Sequence, residues 1–413
     1  MEQEELIPHL FRTEYSKIVS VLCKRFGFDQ SEIAEDIASD TFLTAAQTWP
    51  LNGIPQNPTA WLYNVAKNKA KNYLQRNSVF KNKITPGIKN SSTDLFESET
   101  EIDLSPQNIS DSQLQMMFAI CHPSISPEAQ IGLSLRILCG FGIAEIADAF
   151  LANKETINKR LFRAKEILRG EKIKIEIPGP AEIDERLNTV LTTIYLLFSE
   201  GYYSTSQNQT IRKGLCFEAM RLCTMLIEND NTNKPAVNAL FALMCFHSSR
   251  FEARIGKNGE NILYDDQNPS LWNKDLISKG AFFLNAAAKG NQITKYHLEA
   301  TIAYWSTQKE DTKEKWENVL QLYNRLLQIE YSPIAALNRT FALSKARGKQ
   351  EAIVEAEKLK LEGNHFYFVL LGELYREIDD EKSKQHFLKA ISLAKTQPDR
   401  QSIQRKIDNS ISK

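Results

Sequence analysis

Residues 141–168 read FGIAEIADAFLANKETINKRLFRAKEIL. Within them Ile143, Ile146 and Ala147 mark a short helix, and Leu151 to Asn153 a turn. Ile157, Leu161, Ala164 and Leu168 follow as the apolar stripe of a second helix, at three- and four-residue spacing. Small Ala147 lets the two helices cross closely. The outward face expected of the second helix carries Lys154, Thr156, Asn158, Lys159, Arg160, Arg163 and Lys165. Such a mixture neutralises phosphates and also donates or accepts at base edges, as a helix lying in a major groove must. Alone, a Lys/Arg-rich helix is more simply a solvated structural helix; the short helix and turn ahead of it favour a helix-turn-helix. Just upstream, Ser126 and Pro127 supply an N-cap and a proline at the first helical position, and Ile131, Leu135 and Leu138 the stripe of a supporting helix.

The same periodicity extends almost everywhere along the 413 residues. Glycine contributes only 17 of them, and no run alternates as a strand does, so the chain is expected to be all-α. Two interruptions divide it. Residues 77–112 are polar, carry two prolines and lack an apolar stripe, the composition of a linker. At Ile177–Pro180, IPGP ends the preceding helix. The expected parts are 1–76, a linker at 77–112, 113–177 and 178–413.

Lys and Arg total 51, as do Asp and Glu, and a formal charge of zero argues against a uniformly basic nucleic-acid binder. The charges are segregated, however. Asp29, Glu32, Glu35, Asp36 and Asp40 form an acidic helix without a base, while residues 61–83 hold six bases and no acid. Residues 84–112 hold one base and six acids, and 113–172 eight bases and six acids. In the first part, LFRTEYSKIVSVLCKRFG (10–27) places Leu10, Tyr15, Ile18, Val19 and Leu22 on one helix face. Ile33, Ile37, Phe42 and Ala45 then point inward from DQSEIAEDIASDTFLTAAQTW (29–49), with the carboxylates outward. NPTAWLYNVAKNKAKNYLQR (57–76) sets Lys67, Asn68, Lys69 and Lys71 beside Trp61, Tyr63 and Tyr73. Bases among aromatics suit a single strand, cations following the backbone and rings stacking on bases. Trp61 and Leu62 read as core, whereas Tyr63 and Tyr73 stay open between core and stacking.

AEDIASDTFLTAAQTW (34–49) with NPTAWLYNVAKNKAKNYLQR, and separately EIADAFLANKETINKRLFRAKEIL (145–168), resemble the two DNA-binding domains of an extracytoplasmic-function sigma factor of the sigma-70 family. The resemblance implies core RNA polymerase and promoter DNA as partners. By it, Asp29, Glu32, Glu35, Asp36 and Asp40 face the polymerase clamp, and Lys67, Asn68, Lys69 and Lys71 hold the opened strand of the −10 element. Lys154, Thr156, Asn158, Lys159, Arg160, Arg163 and Lys165 dock on the −35 element. The loop at 49–57 contributes a pocket for an extruded base, and the acidic linker threads toward the polymerase active centre. Family members carry Arg where Lys67 and Lys69 stand, and lysine lacks arginine's bidentate geometry. MFAICHPSISPEAQIGLSLRIL (117–138), ERLNTVLTTIYLLFSEGY (185–202) and LYDDQNPSLWNKDLI (263–277) resemble a long subclass with a C-terminal helical extension. That subclass has a DGGIGDD-like motif where this chain reads SPQNISDSQLQMMF (105–118), of which Ile109 and Asp111 remain.

Residues 181–413 read as about ten helices stacking as a solenoid. The clearest repeat is LLGELYREIDDEKSKQHFLKA (370–390): Leu371, Gly372 and Tyr375 match the first helix of a tetratricopeptide unit, and Ser383, Phe387 and Ala390 the second. Trp316, Val319, Leu320 and Tyr323 give another first-helix match. Such stacks take a protein or peptide ligand. The segment 256–272, GKNGENILYDDQNPSLW, reads equally as a functional loop or an ordered connection.

The six cysteines, Cys23, Cys121, Cys139, Cys216, Cys223 and Cys245, lie among apolar residues without metal-type spacing, and His122 beside Cys121 has no second pair. No phosphate loop, nucleophile elbow or paired-His motif occurs, so neither catalysis, metal nor cofactor is expected. The start, MEQEEL, has no secretory pattern and no apolar run approaches a membrane span, which points to a cytoplasmic protein. The rival reading is a helix-turn-helix regulator with a tetratricopeptide-type effector domain; it has no use for the acidic and aromatic/basic helices near the start. A plainer rival is a repeat scaffold with no affinity for DNA.

Overall fold

The computed structural model describes residues 3–84, 102–150, 152–202, 213–256, 262, 264–308, 310–394 and 397–411. Among them every regular element is a helix. The chain forms two compact units, Met1–Thr193 and Ile194–Lys413.

In the first unit α1 (Gln3–Phe26) is the central strut, packed against α2 (Ser31–Asn52), α3 (Pro58–Ile84) and α4 (Pro106–Ile120). Its stripe is the expected one, with Tyr15, Ile18, Val19 and Leu22 fully enclosed. Burial pushes the Tyr15 phenol up to about 12. Both ends of the expected linker are helical: α3 runs on to Ile84, and α4 begins at Pro106. The polar residues there are capping chemistry, not loop chemistry. Ser105 accepts from the Asn108 amide, Pro106 sits at the helix start, and Asn108 Nδ2 donates to the Asp103 carbonyl at 2.6 Å. Within the motif-equivalent stretch Ile109 is buried on α4 and Asp111 accepts from Gln107 one turn earlier. Residues 85–101 of the linker lie outside the described residues.

The supporting helix α5 (Pro127–Leu133) starts on the Ser126 cap and continues through a π turn at Ser134–Leu138, which packs on α1. Then come α6 (Ile143–Ala149) and α7 (Lys154–Gly170). Ala147 is buried and α6 packs on α7; α5 also approaches closely, since a Cβ at Gly132 would stand 2.8 Å from Leu161 Cδ2 of α7. Leu151, in the expected turn, lies outside the described residues. The domain boundary expected at 178 also falls differently. The division between units lies inside α8 (Ile183–Tyr202), whose first half belongs to unit 1: Arg186 donates to the Phe118 carbonyl, and Thr193 Oγ1 to Gln130 Oε1 at 2.8 Å.

The second unit continues with α9 (Lys213–Ile227), α10 (Pro235–Ser248), α11 (Lys274–Ala287), α12 (Lys295–Trp305), α13 (Lys313–Ile329), α14 (Pro333–Arg347), α15 (Lys349–Leu359), α16 (His365–Tyr375), α17 (Asp380–Leu393) and α18 (Gln397–Ile411). From α9 onward each helix packs against the next, and Trp316, Val319 and Leu320 join Leu371 and Tyr375 in one apolar cluster. The repeat read at 370–390 is a tightly crossed pair. Ser383 Oγ donates to the Gly372 carbonyl at 2.7 Å, and a Cβ at Gly372 would strike the Phe387 ring at 2.8 Å. The described part of 256–272 is held as an ordered connection: buried Lys315 donates to Tyr264 Oη and the Gln308 carbonyl, both at 2.9 Å, and Lys345 pairs with Asp265 at 3.3 Å. Residues 257–261 and 263 of that segment lie outside the described set. Glu299 on α12 accepts from Tyr195 Oη at 3.2 Å, and burial pushes its carboxyl up to about 7. The six cysteines are all buried, and none is in a disulfide.

Candidate nucleic-acid interface

Asn153 caps α7, its Oδ1 accepting from the Thr156 amide at 2.7 Å. Ile157, Leu161, Ala164 and Leu168 are buried beneath the helix, as their spacing requires. Lys154, Thr156, Asn158, Lys159 and Arg163 are exposed outside that stripe. Arg160 is half-buried, its guanidinium 5.7 Å from the centre of the Phe150 ring. Between these polar residues stands Phe162, 58% exposed. It is out of phase with the buried stripe, and that phase is the sequence signal for it.

One residue assigned to this face is not on it. Lys165 is only 9% exposed and donates to Glu35 of α2, itself 9% exposed. Glu35 Oε2 also accepts from Arg136 Nε at 3.2 Å, and Arg136 donates to the Phe141 carbonyl at the same distance. Two expectations are thus corrected together: Lys165 and Glu35 face each other, neither the solvent. The periodicity explains both. Glu35 follows Ser31 and precedes Ala38 and Phe42 in the buried stripe of α2, and Lys165 lies four residues past Leu161 and three before Leu168. Three ions withdrawn from water cost several kcal/mol each to desolvate, offset only by mutual attraction, so removing one partner costs about 3–5 kcal/mol.

The cations of α3 are divided. Lys71 and Asn68 are exposed, and Lys67 is half-buried in a groove of about 650 Å³ lined by Ala60, Tyr63, Asn64, Lys67, Ile102, Asp103 and Leu104. At 100° per residue Lys67, Asn68 and Lys71 share a sector, while Lys69 lies about 200° from Lys67. There it pairs with Asp40 of α2 at 2.5 Å. Tyr63 and Tyr73, open between two readings in the sequence, are bound into the unit. Tyr63 donates to Glu14 at 2.5 Å and Tyr73 to Gln30 at 3.1 Å, and Phe26 packs on the Tyr73 ring. Burial, and then the bond to Glu14, push the Tyr63 phenol well above its ordinary range. Trp61 packs edge-on against buried Trp49, with ring centres 5.4 Å apart.

Asp29, Glu32, Asp36 and Asp40 are exposed, the last three at four-residue steps along α2. The same ridge ends in Leu43, 54% exposed, and the last turn of α2 carries Leu51, 84% exposed. These apolar side chains went unmarked in the sequence, where they look like ordinary continuation of the stripe. Among the described residues no group of His, Cys, Asp and Glu could hold a metal, and no helix is long and apolar enough to cross a membrane.

Comparison with known proteins bears on both units. Residues 10–79 match sigma-70 region 2, and residues 186–288 a family of unknown function, DUF6596. An uncharacterized protein, R00370, from Rhizobium meliloti (strain 1021), is 31% identical over 371 residues, 89% of this chain and 87% of the relative. No solved structure matches.

Proposed function

Because the chain belongs to one family with the Rhizobium meliloti protein R00370 and carries a sigma-70 region 2, we propose that it is a cytoplasmic RNA polymerase sigma factor of the extracytoplasmic-function type. It directs core polymerase to promoters and has no catalytic site of its own. The observation that carries this reading is the region 2 match over α1–α3 together with the exposed set on α7, two nucleic-acid faces of different chemistry in one unit. Asp29, Glu32, Asp36 and Asp40, with Leu43, meet the clamp. Lys67, Asn68 and Lys71 follow the opened −10 strand, the groove beside Lys67 giving a base room to leave the stack. Lys154, Thr156, Asn158, Lys159 and Arg163 read the −35 duplex, with Arg160 buttressing the turn. The second unit is a tetratricopeptide-like stack that binds a protein or peptide and tunes initiation.

Run-off transcription with purified core polymerase and promoters of the source organism tests the reading. Initiation that depends on this chain supports it. Duplex binding without initiation would favour a helix-turn-helix regulator.

A further inference from the structure

We propose that the second unit carries a face that pairs with the same face of a second copy of this chain, formed where the α11–α12 and α13–α14 connections come together. Apolar side chains exposed singly need no explanation, whereas a contiguous apolar patch marks an interaction surface. Ile293, Ile329, Tyr331 and Ile334 are each at least 49% exposed. The last three flank the turn from α13 to α14, with exposed Pro333 among them. Ile293 is brought to the same end by an ion pair, because Lys295, two residues on, holds Glu330 at 2.8 Å. Connections are ordinarily polar, since Gly, Asn, Asp and Ser supply the turn conformations and the backbone there meets water. Large apolar side chains at such a place are unfavourably hydrated until something covers them.

The charges around this face indicate the occupant. Glu228 and Asp230 lie in the α9–α10 connection, which adjoins the same end through Pro235: a Cβ at Gly290, between α11 and α12, would stand 2.8 Å from the Pro235 ring. Lys289 precedes that glycine, and Arg325 stands one turn before Ile329 on α13. All four charges are exposed, and among the described residues none of them has a charged partner. Acids and bases balance, so the rim has no net charge. A face that takes an acidic or a basic partner carries the opposite sign throughout, whereas a face that meets its own copy must carry both signs. In a two-fold contact the apolar centre covers itself, and the acids of one copy meet the bases of the other. Standard interfaces bury about 800 Å² on each side, more than four side chains supply. The pairing is therefore weak, with a dissociation constant of about 10–100 μM.

Sedimentation velocity of the full chain from about 1 to 200 μM tests the pairing. It needs neither DNA nor polymerase, so the pairing stands or falls apart from the sigma-factor reading. The parent shifts from monomer to dimer across that range. I329K/I334K sets like charges against each other at the contact and weakens association by at least about 10-fold, leaving a monomer throughout. Helical circular dichroism checks that the variant is folded; if it is not, Y331K poses the same question. The native cysteines are buried, so a spin label on exposed Gln328→Cys reads the distance between copies. That distance is within about 30 Å, the length of a 20-residue helix. A parent that stays monomeric, a dimer that I329K/I334K leaves intact, or labels farther apart than this overturns the assignment. Were the parent monomeric and its binding to purified core polymerase lost in I329K/I334K, the face would belong to a foreign protein and the self-pairing would fall.

Discussion

Two basic helices of the first unit, α3 and α7, look alike as letters and differ as surfaces. On α7 an apolar stripe is buried, and all cations but Lys165 and the half-buried Arg160 and Arg169 are exposed. On α3 the base-only run winds around the helix, so that Lys67, Asn68 and Lys71 share one sector while Lys69 is turned to Asp40. A run of charge becomes a binding face only where its phase opposes the buried stripe. Under the proposed function one helix lies against a duplex and the other leads a strand along one edge.

The largest effect expected from breaking this contrast is on α7. K159E/R163E lowers affinity for duplex promoter DNA by about 100-fold or more and flattens the salt slope by nearly 2, measured by fluorescence anisotropy across a salt series. Retained affinity would remove the duplex assignment. Next is the seat of α7. G132A drives a methyl to 2.8 Å from Leu161 and destabilises the unit by roughly 1–3 kcal/mol in chemical denaturation. The matching blow to α3 is K67E/K71E. It weakens single-stranded oligonucleotide binding by about 10-fold and leaves duplex affinity within error, a separation no general loss of positive charge would produce.

A carboxylate in the second unit sharpens the contrast from outside. Glu299 is held among Tyr195, Tyr323, Lys295 and Glu330, and its pKa of about 7 lies above that of the unfolded chain. The folded form then binds the extra proton, so this group stabilises below the ordinary carboxylate range, and that contribution is lost as pH rises through about 7. E299Q removes the dependence: its melting temperature gains on the parent by about 2–4 °C between pH 5 and 8, with DNA affinity untouched. The smallest effect is K69Q, whose exposed pair with Asp40 is worth no more than about 1 kcal/mol and whose direction excludes it from the strand face.

The all-α fold, the helix-turn-helix and the pair of helices that carry Gly372 and Phe387 were legible as periodicity, because buried stripes are local patterns. Glu35 and Lys165 were misread because their residue types outweighed their phase: each falls in a buried stripe, yet a carboxylate and a lysine look like surface when read singly. The ends of the linker were misread for the related reason that Ser105, Pro106 and Asn108 are as frequent in caps as in loops. What periodicity cannot reach is partnership across a hundred residues. Nothing local in Arg136 points to Glu35, and nothing in Tyr63 to Glu14.

The account rests on a division of labour, α7 for the duplex and α3 for the opened strand. Permanganate reactivity of unpaired thymines at the −10 element, on a promoter bound by core polymerase and this chain, tests it most directly. The account predicts reactive thymines with the parent chain, and their loss with K67E/K71E while the −35 duplex remains protected. Thymines still reactive with that variant, or a parent complex that protects duplex without unpairing any base, would contradict it.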